Sequence, residues 1–164
     1  SIENQIRKLA YADIVVATSH NSIDIEIEEF CESNNIKCAR GSENNVFRRF
    51  QDVAIKYGFE HIIRLTGDTP LPNQAILTEA ITTHGKFLPD ITSTRRVNLD
   101  HTIDRFTAKG QSVDVINCNT LLNIDSLKLS SFEQEHVIPI FFKKINTLSY
   151  QFNFCFNLKT IVNL

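Results

Sequence analysis

The stretch HIIRLTGDTPLP, residues 61–72, combines an apolar run with an abrupt polar ending. Its first five residues have the composition of a strand that is buried on both faces. Gly67 then permits a sharp turn, and the carboxylate of Asp68 follows directly before Thr69 and Pro70. Spacing alone leaves two interpretations open: an Asx-type turn ahead of the Thr-Pro pair, or a Mg²⁺ ligand beside nucleotide phosphates.

The residues that precede this stretch alternate between strand and helix patterns. DIVVATS (13–19) and IKCAR (36–40) are predicted strands, and apolar residues at helical spacing follow each of them. The second helical stripe runs from Val46 to Tyr57 and is closed by Gly58 as its C-cap. This alternation predicts an α/β fold: a Rossmann-like, mainly parallel sheet with helices on both faces.

A third helical pattern covers residues 73–84, and we expect Gly85 to end it. Ligands of parallel sheets bind beyond the carboxyl ends of the strands. Here those ends carry the polar sequences ATS, ARGS and LTGDTP. The sequence therefore predicts a nucleotide-binding type of domain with its site at this edge of the sheet.

The second half of the chain is less regular. Residues 90–111 are polar and mixed in charge, which predicts a long functional loop or lid. SVDVIN (112–117) is a predicted strand, and residues 130–145 predict a helix interrupted near Pro139. Near the end, alternating aromatic residues predict a C-terminal β-ribbon whose stripe belongs to the core or to a subunit interface: Tyr150, Phe152, Phe154 and Phe156.

The composition is that of an ordinary globular protein of 164 residues. A net charge of −2 gives no support for nucleic acid or an anionic membrane as a partner. No apolar run approaches the roughly 20 residues that cross a bilayer. The four cysteines are scattered singly, which favours a reducing, cytoplasmic setting over a disulfide scaffold or a zinc site.

Several polar residues have both a functional and a structural interpretation. Gly41 and Ser42 after Arg40 present donors for a ribose or base, or else they cap the next helix, which is the better interpretation taken alone. Arg95 and its neighbour Arg96 suit an anionic substrate, although solvated surface arginines are commoner. Glu135 and His136 suit substrate binding or acid-base chemistry, whereas the alternative is a half-buried histidine at a helix start.

Taken in order, DIVVATS, CARGSENNVFRRF, HIIRLTGDTPL, KGQSVDVIN and EQEHVIPI resemble the cytidylyltransferase family. The resemblance is strongest to its branch of spore-coat polysaccharide biosynthesis proteins, related to the enzymes that make CMP-sialic acid and CMP-Kdo. It implies a Rossmann-like fold and Mg²⁺-dependent transfer of CMP from CTP to a sugar or sugar acid, with release of pyrophosphate, by a homodimer. It covers nearly the whole chain and implies a single domain over residues 1–164, incomplete at both ends.

The resemblance also implies roles for individual residues. Asp68 matches the family's Mg²⁺ aspartate, and Asp68 with Arg64 would act at the reacting phosphate. Residues near the nucleotide would be Thr18, Ser19, Arg40, Gly41, Ser42, Thr66 and Gly67. Residues on the sugar side would be Arg95, Gln111, Ser112, Asp114, Glu135 and His136.

The chain departs from the family pattern at several points. The family opens with a strand and a phosphate-cradling loop that this chain does not contain. Ser112 and Asn45 stand where aspartates are common, Asp114 where glutamate is common, and Asn163 in place of a second metal aspartate. Two functions stay open: a cytidylyltransferase that turns over poorly as this chain, and a non-catalytic remnant or dimerisation module. A related glycosyltransferase ranks last, because the chain has no D-x-D metal motif.

Overall fold

The computed structural model describes residues 13–67, 73–97, 100 and 102–144. The strands are β1 (Val15–Ser19), β2 (Lys37–Gly41), β3 (His61–Arg64), β4 (Ile91–Ser93), β5 (Arg95–Val97), β6 (Ile103–Arg105) and β7 (Asp114–Asn117). The α-helices are α1 (Ile25–Ser33), α2 (Val46–Tyr57), α3 (Gln74–Phe87), α4 (Cys118–Leu122), α5 (Ser131–His136) and α6 (Pro139–Lys144), with 3₁₀ turns at Ser22–Asp24 and Ser126–Lys128.

The strands form three groups within the described residues. β1 and β2 pair in parallel, from Val15 opposite Lys37 to Ser19 opposite Gly41. β7 lies between β3 and β4 and runs antiparallel to both, so that β3 and β4 run in the same direction. β5 and β6 form a separate antiparallel pair. The predicted α/β class is confirmed, with β7 as an antiparallel strand inside it.

Helices cover both faces of the β3–β7–β4 sheet. Ile62 and Ile116 pack into a core with Phe47 and Ala54 of α2. The next residues along the strands point the other way, because successive side chains of a strand alternate between faces. Val115 therefore packs against α3, in a second core that contains Ile76, Leu77, Ala80 and Val113. The predicted arrangement of helices on both faces is confirmed.

The ends of the helices follow local capping chemistry. Asn45 accepts a hydrogen bond from the backbone N–H of Arg48 at the start of α2, and Gly58 ends this helix in the left-handed conformation, as predicted. The predicted end of α3 at Gly85 is wrong. α3 continues to Phe87, and the N–H of its C-cap Leu88, a residue in the left-handed conformation, donates to the His84 carbonyl at 2.8 Å.

The prediction of a loop or lid over residues 90–111 is also wrong, because much of this segment is strand. β4, β5 and β6 all fall within it. Its polar side chains find partners in β7 and the residues before it. The Thr94 hydroxyl, for example, accepts the backbone N–H of Val113 at 2.8 Å. A polar composition is compatible with a strand where the polar groups are paired.

The predicted interruption near Pro139 is confirmed. α5 ends at His136, Val137 has a φ of 67°, and α6 begins at Pro139. His136 is half-buried as expected, but it ends α5 rather than starting a helix, because Ser130 and Glu133 form the capping box that opens α5.

Some predictions concern residues outside the described ones: Asp68, the aromatic stripe from Tyr150 to Phe156, and Asn163. In the described part of the chain, no helix is long and apolar enough to cross a membrane.

Candidate functional site

Hydrogen bonds to one carboxylate stabilise the turn that follows β1. The Thr18 hydroxyl, the Ser19 hydroxyl and the Ser19 backbone N–H all donate to Oδ2 of Asp24, at 2.8, 2.5 and 3.0 Å. The Ser19 hydroxyl, followed by that of Thr18, holds the pKa of Asp24 below its ordinary value. Thr18 and Ser19, predicted to lie near a nucleotide, thus already have a partner within their own turn.

Arg40 of β2 also binds within the protein. Its Nε donates to the Ser19 carbonyl at 2.9 Å, and one terminal nitrogen donates to the Asn21 carbonyl at 2.7 Å. The other terminal nitrogen forms an ion pair with Glu28 of α1 at 3.1 Å. The guanidinium therefore ties the turn after β1 to β2 and α1. Its predicted role at a nucleotide stays a prediction beside this structural one.

Gly41 and Ser42 shape the turn between β2 and α2. A Cβ atom at Gly41 would lie 2.6 Å from Cγ of Arg49, so this position accepts only glycine without a shift of Arg49. The Ser42 hydroxyl accepts the backbone N–H of Asn45 at 3.0 Å. Asn45 itself is the N-cap of α2, so Ser42 holds the turn ahead of the cap and does not cap the helix.

The sequence did not identify Arg49 as a candidate site residue. It follows Arg48 on α2, and adjacent arginines on a helix are typical of a solvated surface. Its aliphatic stem packs on Gly41 at the end of β2. Burial lowers the pKa of its guanidinium, although Asp24 and Glu43 act in the opposite direction. In the part of the chain that the structure describes, its buried Nε has no hydrogen-bond partner.

The end of β3 carries a different arrangement, a buried ion cluster around Asp114. Oδ2 of Asp114 accepts from Arg64 at 3.0 Å and also from a terminal nitrogen of Arg95, while Oδ1 accepts the Ser93 hydroxyl at 2.6 Å. The side chain of Asp114 is 0% exposed, those of Arg64 and Arg95 6% and 12%. We call these four residues the Asp114 cluster. Desolvation makes such a cluster costly unless every charge keeps its partner.

Three of the predicted site residues thus come together in space: Arg64, Arg95 and Asp114. The carboxylate of Asp114 is fully buried and binds two guanidinium groups and a hydroxyl, so it holds the two arginines in position. Its predicted place on the sugar side stays a prediction beside this structural role.

Other residues on the predicted sugar side lie around β7. Ser112 is buried and its hydroxyl accepts from Arg105 at 3.4 Å. Gln111 is half-buried, and its backbone N–H donates to the Ala108 carbonyl at 3.1 Å. Glu135 is exposed, and the half-buried ring of His136 contacts Phe132 edge to face with centroids 4.4 Å apart. The contact with Phe132 gives His136 a structural role at the end of α5, whereas the alternative from the sequence was a half-buried histidine at a helix start.

The chain leaves β3 through Thr66 and Gly67, which lead directly to Asp68. Thr66 is half-buried and Gly67 is exposed, and a Cβ at Gly67 would meet no atom of the described residues within 4 Å. At the exit of β2, in contrast, the stem of Arg49 lies against Gly41. Asp68 itself lies outside the described residues, so its predicted place as metal ligand stays a prediction.

The described residues do not by themselves form a metal site. Within residues 13–67, 73–97, 100 and 102–144, no group of three His, Cys, Asp or Glu side chains could hold an ion. The Asp114 carboxylate forms ion pairs with Arg64 and Arg95. The Asp24 carboxylate accepts hydrogen bonds from Thr18 and Ser19. The predicted binding of Mg²⁺ by Asp68 stays a prediction, because Asp68 lies outside the described residues.

A histidine pair on the other side of β3 was also missed in the sequence. The buried His84 contacts the Thr92 hydroxyl through Nδ1 at 3.0 Å and Nδ1 of His61 through Nε2 at 3.1 Å. Burial, and then the charge of His61, lowers the pKa of His84 to about 4. The signal available was the position of His84 on the apolar stripe of α3, three residues after Ile81.

Known proteins are similar to this chain over most of its length. A family model described as cytidylyltransferase matches residues 2–160. The spore coat polysaccharide biosynthesis protein SpsF of Bacillus subtilis is 32% identical over 126 residues, which are 76% of this chain and 48% of that protein. An uncharacterized protein of Methanocaldococcus jannaschii, MJ1063, is 29% identical over 134 residues, 82% of this chain and 51% of that protein.

The fold has a solved counterpart. A cytidylyltransferase from Leptospira borgpetersenii superposes with a TM-score of 0.68 at 26% identity, over 85% of this chain and 58% of that one. The chain spans about half the length of the curated relatives it matches.

Proposed function

Because the chain belongs to the cytidylyltransferase family, we propose that it binds CTP at the carboxyl ends of its strands and serves the transfer of CMP to a sugar or sugar acid. Sugar activation for surface polysaccharide is the setting that fits its relation to the spore coat polysaccharide biosynthesis protein. The reaction is an in-line attack of a sugar hydroxyl on the α-phosphate with release of pyrophosphate.

The observation that carries this proposal is the Asp114 cluster at the carboxyl end of β3. Asp114 fixes Arg64, the last residue of β3, and Arg95, the first residue of β5. Preorganised guanidinium groups stabilise the charge that develops on a transferring phosphoryl group. A buried carboxylate that sets their position lets them act without rearrangement.

The remaining roles follow from position. Thr66 and Gly67 offer backbone groups at the exit of β3, and Asp68 would hold Mg²⁺, which supplies charge neutralisation at the phosphates when it is bound. Arg95, Gln111 and Ser112 line the side of β7 and suit an acceptor with anionic and hydroxyl groups. Gly41 with Arg49 suits the base or ribose at the end of β2.

Calorimetric titration of CTP in the presence of Mg²⁺ tests the proposal. We expect measurable binding to the wild-type chain and at least about tenfold weaker binding to Asp68→Ala, because the metal-held phosphates lose their ligand. Asp52→Ala is the matched control, since Asp52 is an exposed carboxylate paired with Arg48 on the surface of α2. Equal CTP affinity of Asp68→Ala and Asp52→Ala would contradict the role of Asp68.

A second candidate, a non-catalytic module of the same fold, is favoured by the exits of β1 and β2. Thr18, Ser19 and Arg40 all have partners within the protein, as expected of a turn that serves only the fold. Pyrophosphate release from CTP with a sialic-acid or Kdo-type acceptor separates the candidates. No measurable binding of CTP favours the module, and pyrophosphate release that is lost in Asp68→Ala favours the enzyme.

The proposal includes a homodimer in the cytoplasm, as the family resemblance and the scattered cysteines suggest. Light scattering after gel filtration measures the mass directly against the 18.7 kDa of one chain.

A further inference from the structure

A pocket of about 240 Å³ lies between α2 and the segment that follows α4. It is lined by Ile55 near the end of α2, Leu122 at the end of α4 and Leu127 of the second 3₁₀ turn. These three residues are 63%, 40% and 84% exposed. Single exposed apolar residues are ordinary, whereas several around one concavity mark an interaction site. We call this surface the Leu127 pocket.

Hydrogen bonds hold both sides of the Leu127 pocket in place. The buried side chain of Gln51, on α2, donates to the Ile124 carbonyl at 2.7 Å. From α5, the side chain of Gln134 donates to the Ser126 carbonyl at 3.0 Å. The turn that presents Leu127 is therefore fixed from two helices, and a contact made by Leu127 loses little conformational freedom.

The charges beside the pocket are balanced. Arg48 and Asp125 line it, and each has a neighbouring partner: Arg48 pairs with Asp52 at 2.8 Å, and Asp125 pairs with Lys128 at 3.4 Å. Exposed ion pairs of this kind are weak, so their members can exchange partners. The two pairs together have no net charge, which gives no attraction for a strongly acidic or basic partner. A second copy of the same surface is not repelled, and it offers opposite charges to both signs.

We propose that the Leu127 pocket is a contact between two copies of this chain related by a twofold axis. Leu127 of each copy fills the pocket of the other, between Ile55 and Leu122, and Arg48 of each copy faces Asp125 of the other. An isologous contact needs a patch that is complementary to itself. The Leu127 pocket has this property, because it presents a projecting apolar side chain, a recess and charges of both signs side by side.

This contact assigns a surface to the proposed homodimer without depending on nucleotide. The described residues that line the pocket are separate from those proposed to bind CTP or its acceptor. The dimer and the binding of CTP can therefore fail independently of each other.

Sedimentation equilibrium of the intact chain tests the contact at concentrations up to about 100 μM, where a dimer of micromolar affinity is populated. We expect the mass to rise from 18.7 kDa towards twice that value. Leu127→Glu places a charge in the apolar pocket and should weaken the dimer by at least about tenfold. Leu88→Glu is the matched control, because Leu88 is 63% exposed at the end of α3 and lies outside the pocket, so this variant should behave as the wild type.

Exchange of the two charges provides a second test. Arg48→Glu and Asp125→Arg each place like charges opposite one another across the twofold axis, and each should weaken the dimer by about tenfold. The double variant restores opposite charges in both halves of the contact, so its affinity should return to within about threefold of the wild type. Far-UV circular dichroism verifies that every variant is folded.

The inference is overturned if the chain stays monomeric at the highest concentration, or if the double variant is no tighter than the single ones. A Leu127→Glu variant that dimerises as tightly as the wild type would place the dimer contact on another surface. A monomer whose free energy of unfolding falls in Leu127→Glu would show that the chain's own residues cover the pocket, which also overturns the inference.

Discussion

The exits of β1 and of β3 lie at equivalent ends of strands, yet their polar groups are satisfied in different ways. At β1, Asp24 accepts hydrogen bonds from Thr18 and Ser19, five or six residues away. At β3, Asp114 binds Arg64 across 50 residues and Arg95 across 19. The first arrangement stabilises a local turn in water. The second is buried and sets the position of two cations, so we expect it to dominate both stability and chemistry.

The strongest test of this difference removes the carboxylate of the Asp114 cluster. Asp114→Ala should lower the free energy of unfolding by about 3–5 kcal/mol, because it removes the buried carboxylate that binds two guanidinium groups. Urea denaturation measures it. Asp52→Ala, which breaks an exposed pair, should cost only about 0.3–0.5 kcal/mol. Similar losses in the two variants would show that the Asp114 cluster is energetically ordinary.

The exit of β2 offers the next largest effect. Gly41→Ala should destabilise the protein by about 1–3 kcal/mol, because the new Cβ would overlap the stem of Arg49. In the double variant Gly41→Ala with Arg49→Ala, the overlap is gone and most of the added loss should disappear. A loss that persists unchanged in the double variant would place its cause in the backbone at residue 41 instead.

A third test concerns the buried His84 of α3, which contacts His61 of β3. The pKa of His84 is lowered to about 4, so the folded protein resists protonation of this ring while the unfolded chain accepts a proton near pH 6.5. The linked stability is present above pH 6.5 and is lost as the pH falls from there towards 4. NMR titration should show the His84 ring neutral at pH 5. An inflection near pH 6.5 would contradict it.

The smallest effect is expected at the exit of β1. Hydrogen bonds from Ser19 and Thr18 lower the pKa of Asp24, so its contribution to stability is present above the ordinary carboxyl pKa and is lost as the pH falls through the folded value. Asp24→Asn should therefore flatten the loss of stability on acidification below about pH 4. Denaturation curves at pH 3 and pH 6 measure it, with Asp52→Asn as control.

Local patterns were sufficient for most of the elements. The apolar runs predicted β1 and β3, the stripe from Val46 to Tyr57 predicted α2, and Gly58 predicted its end. Local patterns failed where contacts with residues that are distant in the chain determine the structure. Residues 90–111 have a polar composition and yet contain strands, because β4 pairs with β7 and β5 pairs with β6. Gly85 does not end α3, because the left-handed residue that closes the helix is Leu88.

The sequence by itself determined the family, the α/β class and the strand ends at which polar residues gather, since these follow from periodicity and from short motifs along one chain. Only the tertiary structure decided that Asp114 holds Arg64 and Arg95, and that Ile55, Leu122 and Leu127 surround one pocket. Both facts depend on groups that meet in space from distant parts of the chain, since burial makes each charge require a partner and the packing of α2 against α4 brings the three apolar residues together.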